Sequence, residues 1–388
     1  MEIERVDAGI TDVDGVYCCG VKEGKYGLGI VKCKGKVAGV FTLNKIKAAP
    51  VILTKEHIKG GEIEGIIVNS GNANAFTGEQ GIKNAKRMAE ILAEKLGTDP
   101  SKIAVASTGV IGVQLDMEWI EKTFEAIFPK LDSSRESSHN FAKAIITTDA
   151  FTKEYAVKTG DVIIAGVAKG AGMIAPNMAT MLAFIFTDAD FDSNELQEML
   201  KIAVDRSFNV TVVDGDTSTN DMVLLVATGK KKVDRGIFQK GLNEVCINLA
   251  KMIARDGEGA SKLIEVYVKG AKSEEDAFKA AKSVVSSILV KTAVFGNDPN
   301  WGRVVAAIGY SGAEVDEDLT LILEGDGESV ILVDRGKNMD TRKKAKEIMR
   351  NSKEIKFIVD LHKGNAEGYA IGCDLTYDYV KLNAKYTT

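Results

Sequence analysis

Between Ala168 and Ala189 the chain reads AKGAGMIAPNMATMLAFIFTDA, a glycine-rich loop with one lysine, Lys169, that runs through Pro176-Asn177 to the pair Ala179-Thr180. A strongly apolar strand begins at that threonine. If the turn before it is strained, the Thr180 hydroxyl can attack the carbonyl of Ala179 through a five-membered ring and form an ester. Hydrolysis of that ester would leave Thr180 as a new amino terminus. An α-amino group has an unperturbed pKa of about 7.7–8.0, so near neutrality a useful fraction is free base beside its own hydroxyl. A threonine at an amino terminus thus carries its own general base. The same residues would also suit a tight turn entering a strand, with Thr180 as an ordinary β-branched strand residue.

Histidine offers little, because only His57, His139 and His362 are present and none has a partner at ligand spacing. His139 reads as a solvated loop residue and His57 as a helix-surface residue. The five cysteines, Cys18, Cys19, Cys33, Cys246 and Cys373, include no zinc-ribbon or redox spacing and read as small buried hydrophobes. ASTGVIG (106–112) ends a strand in a glycine turn, where the Thr108 side chain and the Gly109 amide could serve as donors to a tetrahedral oxyanion. VNSGNANAFTG (68–78) could line the same cleft. DGDTSTND (214–221) gathers three carboxylates like an oxygen-ligand loop for Mg²⁺ or Ca²⁺, although Asx turns produce the same cluster. Glu258 of DGEGASK (256–262) could hold a substrate ammonium or simply face solvent. FGNDPNWGR (295–303), with Trp301 and Arg303, has the composition of a loop that could cover a pocket.

These segments need a framework. Helical periodicity is clear over 79–97, 193–207, 236–254 and 272–288. Strand-like runs occupy 64–71, 102–110, 161–170, 180–189, 222–229, 262–270 and 291–296. The alternation predicts an α/β or α+β class with layered sheets. Residues from about 318 to 388 change character, reading as one helix, then strands, then a short polar tail, and suggest a C-terminal subdomain. A length of 388 residues allows two or three domains. With 50 Lys+Arg against 55 Asp+Glu and a net charge of −5, the chain has no basic excess for nucleic acid. It has no apolar run long enough for a membrane span and an acidic start unlike a signal peptide. A soluble cytoplasmic protein with reduced thiols is expected.

Taken in order, VNSGNANAFTG, ASTGVIG, TTD, KGAGMIAPNMATML, DGDTSTND, DGEGASK, FGNDPNWGR and the closing KLNAKYTT resemble the glutamate N-acetyltransferase family, also called ornithine acetyltransferase, over essentially the whole chain. Ala171 in KGAGM, where a serine is common, and GASK in place of GATK are mild departures. The resemblance implies a layered sandwich of the self-cleaving aminopeptidase-like class. It implies cleavage between Ala179 and Thr180 into an α chain (1–179) and a β chain (180–388), assembled as an α₂β₂ heterotetramer. Thr180 would be the acyl-accepting nucleophile, and Thr108 with Gly109 the oxyanion site. Thr147, or Thr148 one residue on, and Lys169 would contact substrate, Glu258 the ornithine moiety, and Asn383 with Thr388 would close the pocket. The implied reaction is ping-pong acetyl transfer from N²-acetyl-L-ornithine to L-glutamate in arginine biosynthesis, with no cofactor and no metal. Acetyl-CoA stays open as a second donor. A self-cleaving aminopeptidase of related fold is the alternative; a metal-dependent phosphoryl enzyme and a non-catalytic binding protein are the other classes.

Overall fold

The computed structural model describes residues 3–175 and 181–385, so Ala179, Thr180 and Thr388 lie outside the described residues. In chain order the strands are β1 (Ile3–Arg5), β2 (Tyr17–Glu23), β3 (Tyr26–Phe41), β4 (Glu62–Asn72), β5 (Ile103–Val110), β6 (Lys153–Thr159), β7 (Val162–Lys169) and β8 (Leu182–Ala189). They continue with β9 (Thr211–Val212), β10 (Met222–Lys231), β11 (Leu263–Ala271), β12 (Thr320–Gly325), β13 (Glu328–Asp334), β14 (Lys337–Asn338), β15 (Glu354–Asp360) and β16 (Ala366–Cys373). The helices are α1 (Ala49–His57), α2 (Gly78–Leu96), α3 (Met117–Ile127), α4 (Arg135–Ile145), α5 (Ser193–Asp205), α6 (Arg235–Arg255), α7 (Glu274–Ser286), α8 (Ile288–Phe295), α9 (Trp301–Gly309), α10 (Arg342–Asn351) and α11 (Tyr377–Lys385).

The first sheet runs β1-β6-β7-β8-β10-β3-β4-β5, with β2 paired to β3. Its hinge is β3, whose Gly27–Lys36 stretch pairs with β4 and whose Lys36–Phe41 stretch pairs with β10. The ladder shifts register between Lys32 and Gly35, as at a bulge, which bends the strand and turns the sheet over on itself. One hydrophobic cluster therefore holds Leu182, Phe184, Phe186, Met222, Leu224 and Val226 from one half and Val31, Ile66, Val68, Ala104 and Ala106 from the other. Alternate residues of the same strands face outward, where Ala183, Ile185, Val223 and Leu225 meet α5 and α6 while Ile67, Ile103 and Val105 meet α2 and α3. Burial on both faces explains why these strands read as near-continuous apolar runs. The layered α/β class expected from the sequence is the class observed.

Local signals fix the helix ends. At the start of α5, Asp192 Oδ1 accepts from the amides of Asn194 and Glu195, and Glu195 returns a bond to the Asp192 amide, a reciprocal capping box. Gly97, with φ of 68°, ends α2 in the left-handed conformation that glycine adopts without penalty.

The second sheet runs β14-β13-β12-β15-β11-β16-β9. The strands after residue 318 share it with β11 and β9, which come earlier in the chain. Helices α7, α9 and α10 cover one face, and α6 reaches the other through the cluster that contains Leu263, Ile371 and Cys373.

The structure differs from several readings. KTAVFG (291–296) forms the end of helix α8, which stops at Phe295 with Gly296 as its C-cap and starts with Ser287 Oγ accepting from the Val290 amide. The polar tail is helical over its described residues 377–385, as α11. His139 lies in α4, with Nδ1 2.7 Å from Glu154 Oε1, and is not a loop residue. The five cysteines are buried and unpaired, as expected, and burial pushes the Cys19 and Cys33 thiols up to about 12. No helix among the described residues is long and apolar enough to cross a membrane.

Candidate active site

Thr108 and Gly109 stand at the end of β5, and Lys169 is the last residue of β7. These strands belong to opposite halves of the folded sheet, and they meet where Lys169 Nζ donates to Thr108 Oγ1 at 3.2 Å. A second bond, 2.8 Å, runs from Lys169 Nζ to Thr147 Oγ1. Gly109 has φ of 135°, and a Cβ built there would fall 2.2 Å from the backbone carbon of Gly71, so only glycine fits this crossing.

These groups open into a pocket of about 250 Å³ that Thr148, Glu258, Tyr379 and Asn383 also line. Glu258 is placed by its own amide, which donates to the Ala171 carbonyl at 2.8 Å, and its Oε2 accepts from Asn383 Nδ2 at 2.8 Å. Helix α11 thereby brings the end of the chain to the loop that follows Lys169. Every described residue expected at the site, Thr108, Gly109, Thr147, Lys169, Glu258 and Asn383, lines this one pocket, with Thr147 and Thr148 both present.

The DGDTSTND segment forms part of the wall. Asp214 accepts from the amides of Met173 at 2.6 Å and Ile174 at 2.9 Å, which fastens the glycine-rich loop. Within that loop Met173 holds φ of 58°, a left-handed conformation unfavourable for a residue with a side chain. Asp221 is fully buried and accepts from the Met181 amide at 3.0 Å. Burial raises the proton affinity of both carboxyls, that of Asp221 strongly. Asn220 Nδ2 donates to the carbonyls of Ala73 and Ser107, tying the segment to the ends of β4 and β5. Two of the three carboxylates are thus used by backbone amides. Among the described residues no group of three or more His, Cys, Asp or Glu is arranged to hold a metal.

Trp301 and Arg303 lie away from this pocket, in a helix and not in the loop expected. They start α9, Arg303 Nη1 donates to the Leu289 carbonyl, and Trp301 lines a separate cavity with Asp298 and Arg342.

A buried ion-pair line that sequence reasoning missed lies beneath the pocket. Lys153, with its side chain 0% exposed, bridges Asp149 at 2.7 Å and Asp256 at 2.6 Å. Burial works against the Asp149 charge, yet Lys169, Lys153 and the Gly170 amide together hold its carboxyl well below the usual carboxylate range. Burial lowers the proton affinity of Lys169, Asp149 opposes that, and Lys153 adds to it. TTD was the only sequence signal near Asp149. A lysine at a strand position cannot be recognised as buried before its two partners are in place.

A pocket carrying an ammonium, a carboxylate and several hydroxyls complements an amino acid, itself both cation and anion. The ArgJ family matches residues 14–388. The chain is 57% identical to the arginine biosynthesis bifunctional protein ArgJ of Archaeoglobus fulgidus over 380 residues, 98% of this chain and 100% of the relative. It is 50% identical to the glutamate N-acetyltransferase of Methanothermobacter thermautotrophicus over 400 residues, 100% of this chain and 99% of the relative. A crystal structure of the arginine biosynthesis bifunctional protein argJ from Bacillus halodurans matches at 43% identity with a TM-score of 0.49, covering 52% of this chain and 98% of that chain. The full-length relatives define the class, N-acetyltransferases of arginine biosynthesis. The chain belongs to the ArgJ family.

Proposed function

We propose that this chain transfers acetyl from N²-acetyl-L-ornithine to L-glutamate through an ester on Thr180, after cutting itself between Ala179 and Thr180. In the cleavage, the Thr180 hydroxyl attacks the Ala179 carbonyl, the amide becomes an ester, and water releases residues 1–179 with a free carboxylate. In the transfer, the freed Thr180 amine takes the hydroxyl proton as the oxygen attacks the acetyl carbonyl. The tetrahedral oxyanion receives hydrogen bonds from the Thr108 hydroxyl and the Gly109 amide. Ornithine leaves with the proton, and glutamate's free amine then attacks the acetyl-threonine in the reverse sense. Lys169 and Thr147 meet the substrate carboxylate, Glu258 meets the ornithine ammonium, and Asn383 and Thr388 close the pocket. The two chains, 1–179 and 180–388, form an α₂β₂ assembly in the cytoplasm.

The observation that carries this reading is the convergence of Thr108, Gly109, Thr147, Lys169, Glu258 and Asn383 on one pocket. Met181, the sequence neighbour of Thr180, is held by Asp221, which adjoins Asn220 of the pocket wall. Intact mass is the direct test. By length, the 41.7 kDa chain should yield fragments of about 19 and 22 kDa, the larger beginning TMLAF. Thr180→Ala should abolish both cleavage and transfer, and donor alone should leave an acetyl adduct on the larger fragment. An uncleaved, fully active protein would sink the mechanism. Peptide hydrolysis independent of glutamate would favour the aminopeptidase alternative.

A further inference from the structure

Asp149 lies outside the roles above, yet its two oxygens hold both segments that supply the Lys169 corner. Oδ2 accepts from the Thr147 amide at 3.0 Å, and Oδ1 accepts from the Gly170 amide at 2.6 Å. The same Oδ1 takes Lys153 Nζ at 2.7 Å, and Oδ2 lies 4.0 Å from Lys169 Nζ. Behind it, Lys153 continues to Asp256 Oδ2 at 2.6 Å, and the Asp256 carboxylate also takes the Ala150 amide at 3.0 and 3.2 Å. Asp256 is two residues from Glu258. Two buried lysines and two aspartates therefore alternate in a line beneath the pocket, with no net charge.

We propose that Asp149, backed by Lys153 and Asp256, is a positioning residue that holds Lys169 as an ammonium directed at Thr108 and Thr147. The proposal rests on the acetyl-transfer reading of the pocket. Hydroxyls alone solvate a buried ammonium poorly, and a lysine in such a place loses its proton unless an anion stands beside it. Asp149 is that anion, and its two backbone bonds fix the distance. Glu258 and Asp221 also favour the Lys169 charge, and Lys153 opposes it. From β2, Lys22 reaches the same corner through Ser70 Oγ at 2.8 Å and the Ile146 carbonyl. Burial and Lys169 bring its proton affinity down to about 8.

Asp149→Asn keeps the shape and removes the charge. The alkaline limb of the kcat/KM profile for acetylornithine should move down by on the order of one pH unit, with activity partly recovered at low pH. Lys153→Gln, which removes the competing cation, should move the same limb up. Both displacements should persist when Lys22→Gln is added. A merely structural role would lower activity evenly across pH. A folded Asp149→Asn protein with the parent's profile overturns the proposal whatever its rate, as does loss of the displacement with Lys22→Gln. If Asp149→Asn does not fold, Lys153→Gln decides, and an unmoved limb there overturns it. Absence of acetyl transfer in the parent protein would instead overturn the acetyl-transfer reading.

Discussion

Replacing Gly172 with alanine tests whether the placement of Glu258 governs substrate binding. A Cβ built on Gly172 would lie 2.4 Å from Glu258 Cδ, 2.5 Å from Oε2 and 2.6 Å from Oε1. Ordinary contact begins at 3.4 Å, so the carboxylate must retreat by about 1.0 Å, the amount its nearest atom, Cδ at 2.4 Å, requires. The obstacle is the end of a flexible side chain, and Gly172 has no positive φ to forbid alanine. The carboxylate should therefore move while the backbone stays. Its bond to Asn383 breaks with it. Misplacement of a binding group by about 1 Å costs on the order of 10²-fold, so kcat/KM for acetylornithine should fall by about that factor, mostly through KM. The melting temperature should stay within about 2 °C of the parent. Initial rates of acetyl transfer at varied acetylornithine, beside a thermal melt, measure both. An unchanged KM would refute the role given to Glu258, and a collapse in stability would refute the claim that only the side chain moves.

Gly109→Ala should behave in the opposite way, failing to fold or melting far lower in a thermal scan, because its obstacle is the Gly71 backbone. Thr108→Ala should lower kcat by roughly 10²–10³ with little change in the acetylornithine KM, the scale of one lost oxyanion donor; an effect on KM alone would make Thr108 a substrate contact. The two fragments should co-elute in native size exclusion and separate only in denaturant, since β8 of the second fragment pairs directly with β7 of the first. The folded-state proton affinity of Asp149 is depressed, so its ionisation contributes stability that is complete above its unfolded pKa of 3.8 and is lost as pH falls toward the lower folded value. The melting difference between the parent and Asp149→Asn should thus be steady from neutral pH down to about 5 and shrink below about 4. A difference that grows on acidification would contradict the depressed value.

Much of the molecule follows from local pattern alone. Buried strands such as β5, β7, β8 and β10 announce themselves as apolar runs because both their faces are covered, and α2, α5, α6 and α7 by periodicity and caps. The residues at the pocket stand out because small polar groups end strands where the chain would otherwise continue apolar. KTAVFG misled because a short apolar run of β-branched and aromatic residues fits a strand or a buried helix equally well. Helix α8 was decided by packing against the second sheet's helices, and by Ser287 at its start. The long-range pairings were decided by the tertiary structure. Lys169 meets Thr108 across 61 positions and Glu258 meets Asn383 across 125, because β3 turns the sheet over and α11 returns the chain to the pocket. The buried line of Asp149, Lys153 and Asp256 is of the same kind, since a charge in the interior survives only beside its partner, and one partner is 103 residues away. Sequence determines which side chains are available for chemistry; only the fold sets the distances between them.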